Sequence, residues 1–346
     1  MNEWIEELSD LTASGEAVVL VTMAGVRGSG PREPGARMIV TATETIGTIG
    51  GGQLEYQCTR IAVGLLNGDE MPALRKFPLG PSMGQCCGGV VDVLFEPIAS
   101  GLPEWLRDLR ALHGQRRPAV LVVATDAATK FVVTADEVFG VEAQDQPAKL
   151  VEQAREILER RESQVIEATF FGAVVSSDFN IAVFGAGHVG TAVVTALSGL
   201  DCNIRWIDSR RDVFRSAPRN VRTVEAAEPA LEVAALPAGS CYLVMTHSHP
   251  LDFEICDRIL RRRDAAYCGL IGSMSKRRRF EKRFRQQGLA QDEIDKLVCP
   301  IGVDGISGKK PAEIAVAAAA EILKVRERAV PAVTEDYPDN VQSLRS

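Results

Sequence analysis

The sequence predicts an α/β protein with two domains, and three observations lead to this prediction. The chain has 346 residues, a length typical of two domains rather than one. Its second half alternates apolar runs with helical patterns, as in a parallel sheet that carries helices on both faces. Its first half contains strands separated by turn-rich loops. We expect an N-terminal mixed α/β domain with glycine and cysteine loops and a C-terminal doubly wound parallel sheet.

The boundary between the domains is predicted at the polar stretch SSDFN, residues 176–180. The N-terminal domain is assigned to residues 1–177 and the C-terminal domain to residues 178–328. Residues 329–346 contain prolines and mixed charge, and this composition predicts a loose tail.

The elements of the N-terminal domain follow from alternating apolar positions between turn residues. A helical pattern extends to about residue 14, and a second one covers residues 147–161. Strands are predicted at residues 18–21, 37–40, 45–49, 89–98, 118–126 and 130–140. The helix after the third strand begins near residue 53.

The elements of the C-terminal domain alternate regularly. Strands are predicted within residues 180–187, 202–210, 222–226, 240–249 and 265–273, with helices between most of them. The last helix is predicted at residues 311–327. Proline suits its first position, since the missing N–H costs nothing there. Ile314, Ala318, Ile322 and Val325 share one face of this helix.

Composition excludes some classes of protein. The net charge of −7 and the aromatic content of 5% argue against a nucleic-acid-binding protein. No apolar run approaches the length of a membrane span, and the acidic opening MNEWIEELSD is unlike a secretory signal. We therefore expect a cytoplasmic protein. Its eight cysteines are scattered, which favours reduced thiols, several of them in the core.

The motif GAGHVG follows an apolar strand and opens a helix. Gly185 permits the turn, Gly187 lets a pyrophosphate approach the backbone, and Gly190 allows helix and strand to pack closely. His188 is predicted to donate to a phosphate. Asp208 ends the next strand, where such an acidic residue accepts hydrogen bonds from ribose. Together these features predict a Rossmann domain.

The ligand of this Rossmann domain is left open by the sequence. Arg210 and Arg211 lie beside the strand-ending aspartate, so NAD and NADP are both compatible with it. A fold that keeps the turn but binds another ligand is the alternative.

A second glycine loop is GTIGGGQLE. Gly50, Gly51 and Gly52 together indicate a backbone that a ligand or another segment approaches closely. Such a loop before a helix suits a phosphate, with Gln53 at the start of the helix. Glu55 is interpreted as a cap, an orienting group or a base. A tight turn without any ligand is the alternative.

The third loop, LGPSMGQCCGG, places Gln85, Cys86, Cys87 and Gly88 in succession. Adjacent cysteines rarely form a disulfide with each other, and no second pair with zinc-like spacing follows. The loop is therefore interpreted as a thiol on a backbone-rich turn that favours a thiolate. Buried filler is the alternative.

Polar groups also follow the fourth strand of the C-terminal domain, in THSHPLD. His247, His249 and Asp252 lie at the edge where doubly wound sheets bind ligands. They are candidates for ligand binding, for a metal site, or for hydrogen bonding and capping.

Basic residues offer two further surfaces. The run at residues 276–285 is interpreted as a solvated helix face that alternatively docks an anionic cofactor or a protein. Arg27, Arg32 and Arg37, in or beside the loop GSGPREPGAR, are candidates for binding a phosphate or a carboxylate.

The motifs together resemble one family. GGGQLE, LGPSMGQCCGG, VFGAGHVG, THSHPLD, GLIGSMSKRRR and IGVDGISGKKPAEIAVAAAAEIL occur in the order found in the XdhC/CoxI family, the xanthine dehydrogenase accessory proteins. The similarity extends from about residue 18 to residue 323. The GQCCGG form is similar to the XdhC branch, because more distant relatives have a single cysteine there.

This resemblance implies a molybdenum cofactor chaperone rather than an enzyme. XdhC-like proteins bind molybdopterin, work with a cysteine desulfurase during its sulfuration, and deliver it to xanthine dehydrogenase. Cys87 is favoured as the molybdenum contact, since it holds the position of the single cysteine in the relatives. The phosphate end is expected at a glycine nest or an arginine. A homodimer is expected from the family and from symmetry.

Two other classes of protein compete with this interpretation. An NAD(P)-dependent oxidoreductase would use the Rossmann motif, although no catalytic acid or base is identifiable from the sequence. A metal-binding or redox-sensing adaptor would use the two cysteines and the two histidines, although their spacing matches no established ligand set.

Overall fold

A computed structural model gives the fold of the chain. It describes residues 3–66, 73–80, 88–125, 129–140, 147–218 and 220–329. The chain divides into two compact units, Met1–Ser176 and Ser177–Ser346. The first unit contains antiparallel sheets and the second a parallel sheet, so the predicted fold class is confirmed.

The first sheet of the first unit has five antiparallel strands in the order β3-β2-β1-β5-β4. Its strands are β1 (Val18–Arg27), β2 (Arg37–Val40), β3 (Thr45–Gly47), β4 (Ala73–Pro78) and β5 (Val90–Ile98). The predicted strand at 18–21 is therefore longer, and the one at 45–49 ends earlier. The glycine that follows Ile46 turns the chain away, with a φ of 82°.

The second sheet of this unit has the order β8-β7-β6-β10-β9 and is also antiparallel. Its strands are β6 (Ala119–Ala124), β7 (Lys130–Val133), β8 (Val138–Phe139), β9 (Gln164–Ile166) and β10 (Thr169–Val174). The helices of the unit are α1 (Trp4–Ala13), α2 (Gly52–Leu65), α3 (Glu104–Gly114) and α4 (Ala148–Arg160). The predicted helix at 147–161 is thus observed within one residue at each end.

The central strand β1 explains how this unit is layered. It is buried on both faces, because its alternate side chains enter two different cores. Val19 and Val21 pack with Leu54 of α2 on one face. Leu20 lies on the other face, in a core shared with α1, α3 and Leu121 of the second sheet.

The second unit has one parallel sheet in the order β13-β12-β11-β14-β15-β16. Its strands are β11 (Asn180–Phe184), β12 (Asn203–Asp208), β13 (Val221–Glu225), β14 (Cys241–Val244), β15 (Tyr267–Leu270) and β16 (Leu297–Val298). The order reverses between β11 and β14, which is the switch point of a doubly wound fold.

The helices of the second unit cover both faces of this sheet, and each face has its own core. They are α5 (His188–Ser198), a 3-10 helix (Pro229–Ala235), α6 (His249–Arg262), α7 (Met274–Gln286), α8 (Gln291–Ile294) and α9 (Pro311–Ala329). The last helix begins at the predicted proline and buries Ala318 and Ile322 completely. Among the helices of the described ranges, none has the length and the apolar character needed to cross a membrane.

Candidate functional site

Three loops of the first unit meet at one end of its first sheet, and close backbone packing shows this. A Cβ added to Gly50 would lie 2.5 Å from Cβ of Pro31. A Cβ added to Gly89 would lie 2.3 Å from the carbonyl oxygen of Ser29, and one on Gly28 would lie 3.2 Å from Cα of Gly89. Residues 28–31 therefore lie between the glycine triplet and the residues that follow the cysteine pair. We call this region the loop cluster.

The glycine triplet has a backbone that other residues rarely adopt. Gly50, Gly51 and Gly52 have successive φ values of 121°, 74° and 66°. No atom lies within 4 Å of a Cβ built on Gly51, so conformation rather than packing requires glycine there. Helix α2 begins at Gly52, one residue before the predicted start, and Gln53 is exposed in its first turn.

Glu55 caps the start of α2. Its Oε2 accepts hydrogen bonds from the Thr48 hydroxyl at 2.5 Å and from the backbone N–H groups of Ile49 at 3.1 Å and Gly51 at 3.0 Å. Of the three roles considered from the sequence, capping is the one that these contacts support. A phosphate that used the same two N–H groups would have to displace this carboxylate.

The predicted thiols lie outside the described residues, as does Gln85. Gly88 is described and exposed, and the next residue, Gly89, accepts a hydrogen bond from the Leu79 N–H at 2.7 Å. This bond extends the ladder between β4 and β5 and holds the two ends of the cysteine loop together. The residues that follow the cysteine pair, Gly88 and Gly89, therefore belong to the loop cluster.

The other six cysteines are free thiols: Cys202 is half-buried and the remaining five are buried, in line with the expectation that several lie in the core. Burial raises the pKa of the Cys58 and Cys241 thiols to about 12, and that of Cys202 and Cys299 to about 11. Such thiols are poor nucleophiles at neutral pH. These four thiols are therefore poor candidates for reactive-thiol chemistry, which we consider at the adjacent pair, Cys86 and Cys87.

The three candidate arginines have different positions. Arg27 is exposed and forms a salt bridge with Asp92 at 3.2 Å, and Arg32 extends from the loop cluster beside Glu33. Arg37 is instead buried, with its guanidinium 3.9 Å from the ring centroid of Trp4. Burial lowers its pKa to about 10. The expectation that it binds a phosphate is wrong, because β2 directs it into the core.

Helix α2, which follows the glycine triplet, also presents a residue that the sequence did not single out. Tyr56 of α2 has 57% of its surface exposed, which is high for an aromatic side chain. It lies three residues after Gln53 and therefore shares a helix face with it. Its position directly after the glycine loop, in GGGQLEY, could have identified it from the sequence.

The glycines of the second unit have separate functions in GAGHVG. A Cβ on Gly185 would lie 2.4 Å from the Met245 carbonyl oxygen, and one on Gly190 would lie 2.0 Å from the Gly185 carbonyl oxygen. Both are therefore required by packing. Gly187 has no neighbour within 4 Å of such a Cβ, and His188 beside it is exposed at the start of α5. The position at which a ligand was predicted to approach is thus the open one.

Asp208 is held by donors of the protein itself. Its Oδ2 accepts from the Ala186 N–H at 2.7 Å and from Arg210 Nη2 at 2.9 Å, while Oδ1 accepts from Arg210 N and Nε at 2.9 and 3.0 Å. Burial opposes ionisation, but these bonds lower the pKa to about 2. A ribose at this carboxylate would have to displace Arg210. Arg211 points elsewhere and pairs with Glu225 at 3.4 Å.

Asp252 faces the interior. It is completely buried, and its Oδ1 accepts from the N–H and hydroxyl of Thr246 at 3.0 and 2.7 Å. Its Oδ2 accepts from Lys276 Nζ at 2.6 Å, and the same ammonium donates to the Ile271 carbonyl at 2.9 Å. These contacts support one of the alternatives considered for this aspartate, namely hydrogen bonding inside the fold. The pair joins the loops after β14 and β15.

His247 and His249 are exposed on the loop that Asp252 stabilises. Ser248 between them caps α6 by accepting from the Leu251 N–H at 3.4 Å. In the described part of the chain, no group of three His, Cys, Asp or Glu residues is arranged to hold a metal ion. The histidines remain candidates for contacts with a ligand.

The basic run at 276–285 is only partly a solvated face. Its first residue, Lys276, is buried, which corrects that expectation. Arg277 pairs with Glu281 at 2.8 Å, and Arg283 lies 3.9 Å from the ring centroid of Phe253. These contacts are i to i+4 pairing and cation–π packing within the unit.

Comparison with known protein families gives two matches. The model of the XdhC and CoxI family matches residues 11–77, and the model of the XdhC Rossmann domain matches residues 181–322. Together they cover more than half of the chain, and they include the glycine triplet and the GAGHVG motif.

Similarity to individual proteins is found as well. An uncharacterized protein of Escherichia coli strain K12, YqeB, is 28% identical over 151 residues, which are 43% of this chain and 28% of that protein. The matched part thus spans little more than a quarter of the relative. A crystal structure described as a xanthine dehydrogenase from Bacillus halodurans has a TM-score of 0.68 at 22% identity. It covers 96% of this chain and 98% of its own, which shows a shared fold.

Proposed function

The chain belongs to the XdhC and CoxI family, and from this premise we propose that it is an accessory protein that binds the molybdenum cofactor in the cytoplasm. Membership of the family supports a role in maturation. In detail, we propose that the protein protects the cofactor, supports its sulfuration together with a cysteine desulfurase, and inserts it into xanthine dehydrogenase. It acts as a homodimer and as a carrier rather than as an enzyme.

The observation that carries this proposal is the loop cluster. The glycine triplet, residues 28–31 and the end of the cysteine loop meet at one end of a sheet whose central strand, β1, is buried on both faces. A rigid sheet that presents glycine-rich loops suits a large, flat ligand, since few side chains obstruct it. Exposed Gly88 and the open position at Gly51 fit such a ligand.

The chemistry of the donors also fits the two ends of the cofactor. A thiolate of Cys86 or Cys87 is a soft ligand and suits molybdenum, with Cys87 as the favoured contact. Arg32 extends from the loop cluster with a partly exposed guanidinium and suits the phosphate. The ring of Tyr56 offers a face for the pterin. Glu55 holds the glycine triplet in shape through its three hydrogen bonds and leaves Gln53 exposed beside it.

The Rossmann unit is proposed to bind the cofactor or a nucleotide at its own sheet edge. Gly187 and His188 are exposed at the start of α5, and His247 and His249 follow β14, the strand next to β11 in the sheet. These positions share the carboxyl edge of the parallel sheet. An NAD(P)-dependent oxidoreductase is less well supported, because Asp208 is occupied by Arg210.

Anaerobic purification followed by assays for molybdenum and pterin tests the proposal. The wild type should retain both, and a Cys86→Ala/Cys87→Ala variant should lose molybdenum. Cys202→Ala is the matched control, because this half-buried thiol lies in the second unit. If the double variant retains and delivers the cofactor like the control, the thiol loop has no such function. If the wild type does not bind molybdopterin either, the protein is not a molybdenum cofactor chaperone.

A further inference from the structure

A separate cavity of about 380 Å³ lies at the amino-terminal edge of the parallel sheet in the second unit. Its apolar wall includes Leu260 of α6, Tyr267 at the start of β15 and Val298 of β16. Gly185 and Asp208 follow or end their strands, so they mark the opposite, carboxyl edge. The cavity is therefore distinct from the predicted nucleotide site.

Four cations surround this cavity. They are Arg263, Lys296, Lys324 and Arg328. Arg263 forms a salt bridge with Glu293 at 2.6 Å. Within the described ranges, the other three make no ion pair. The ends of α6 and α9 favour cations through their helix dipoles, whereas Lys296 follows the single-turn helix α8, whose dipole is much weaker.

The one acidic residue of the lining is already engaged. Glu321 Oε2 accepts from the Tyr267 hydroxyl at 2.5 Å and from the Gly302 N–H at 2.7 Å. These two donors fix the carboxylate between β15 and the loop after β16 and partly compensate its charge. The cavity therefore has an excess of positive charge next to an aromatic wall, in a protein whose net charge is −7.

We propose that this cavity binds a small organic anion whose phosphate or carboxylate group contacts Lys296, Lys324 and Arg328. The apolar part of the ligand lies against Tyr267 and Val298. The volume falls within the range of small-molecule sites, and a few charged groups around an apolar wall are typical of them. This binding site is independent of the proposed cofactor site in the first unit.

Calorimetric titration at low ionic strength tests the inference with two probes, pyrophosphate and citrate. Low salt is needed because exposed charges are screened. Lys296→Ala/Lys324→Ala should weaken binding of the effective probe roughly tenfold or more. The control is Arg222→Ala/Lys282→Ala, which removes the same charge from exposed positions outside the cavity and should bind like the wild type.

The outcomes separate the alternatives. Binding of pyrophosphate alone identifies a phosphate ligand, and binding of citrate alone identifies a carboxylate, provided that the cavity variant loses it. If neither probe binds the wild type, or if both double variants bind equally, the inference is overturned. Circular dichroism establishes that the variants are folded, and Lys296→Ala alone replaces the double variant if the latter unfolds.

Discussion

The buried ion pair of the second unit gives a prediction that can be worked through from the structure. The Lys276 side chain is 7% exposed and that of Asp252 is completely buried. Replacement of Lys276 by methionine removes the ammonium and leaves a buried carboxylate with only the two donors of Thr246. Breaking such a pair costs about 3 to 5 kcal/mol. We expect Lys276→Met to reduce the free energy of unfolding of this unit by that amount.

Urea unfolding followed by tryptophan fluorescence measures this loss. Trp206 is the single tryptophan of the second unit, and its ring is buried against Phe214. In a background with Trp4→Phe and Trp105→Phe, the signal therefore reports on the second unit alone. With a slope of about 2 kcal/mol per M, the midpoint should fall by roughly 2 M.

A variant of the same helix provides the control. Lys282 is exposed on α7, and Lys282→Met should change stability by less than about 0.5 kcal/mol. A Lys276→Met/Asp252→Leu variant should be less destabilised than the sum of its single changes, because it leaves no buried charge unpaired. If Lys276→Met unfolds at the same urea concentration as Lys282→Met, the ion pair does not stabilise the fold.

Two further predictions concern the Rossmann loop. The pKa of Asp208 is about 2 in the folded protein and about 4 in an unfolded chain, so its ionised form stabilises the fold above pH 4 and this contribution is lost as the pH falls toward 2. Arg210→Ala should raise this pKa and make that loss smaller, and equal pH profiles in urea unfolding would refute the assignment. Gly190→Ala should destabilise the unit by about 3 kcal/mol because of the backbone clash, whereas Gly187→Ala should change stability by less than about 0.5 kcal/mol. Thermal unfolding of both variants measures this difference in stability. Equal unfolding midpoints for the two variants would contradict the prediction.

The second unit could be predicted largely from the sequence, because buried parallel strands form continuous apolar runs. The first unit was harder. Strand β4 (Ala73–Pro78) was not anticipated, since it is a mostly exposed edge strand with two adjacent cations. The division into two sheets depends on the pairing of β10 with β6, which lie about 50 residues apart. Local patterns carry no information about such pairing.

The sequence predicted the separate loops of the candidate site but not the contacts between them. The glycine and cysteine loops were recognised from local signals, while their packing against residues 28–31 joins segments that are distant in the sequence. The contact between Arg210 and Asp208 was not anticipated for a different reason. Arg210 was noticed as a phosphate ligand, but a side chain two residues away can fold back on the carboxylate, as it does here.

Gly51 and Gly187, which both have free space around a built Cβ, differ in backbone conformation, and this difference determines how ligand binding can be tested at each of them. Gly187 has a φ of −85°, which any residue adopts, so Gly187→Ala obstructs a ligand without straining the backbone. Gly51 combines a φ of 74° with a ψ of −170°, a region that is essentially restricted to glycine. Any side chain there would distort the loop itself. A loss of cofactor binding in a Gly51 variant would therefore not distinguish contact from misfolding, and the exposed side chains Tyr56 and Arg32 are the informative positions to change.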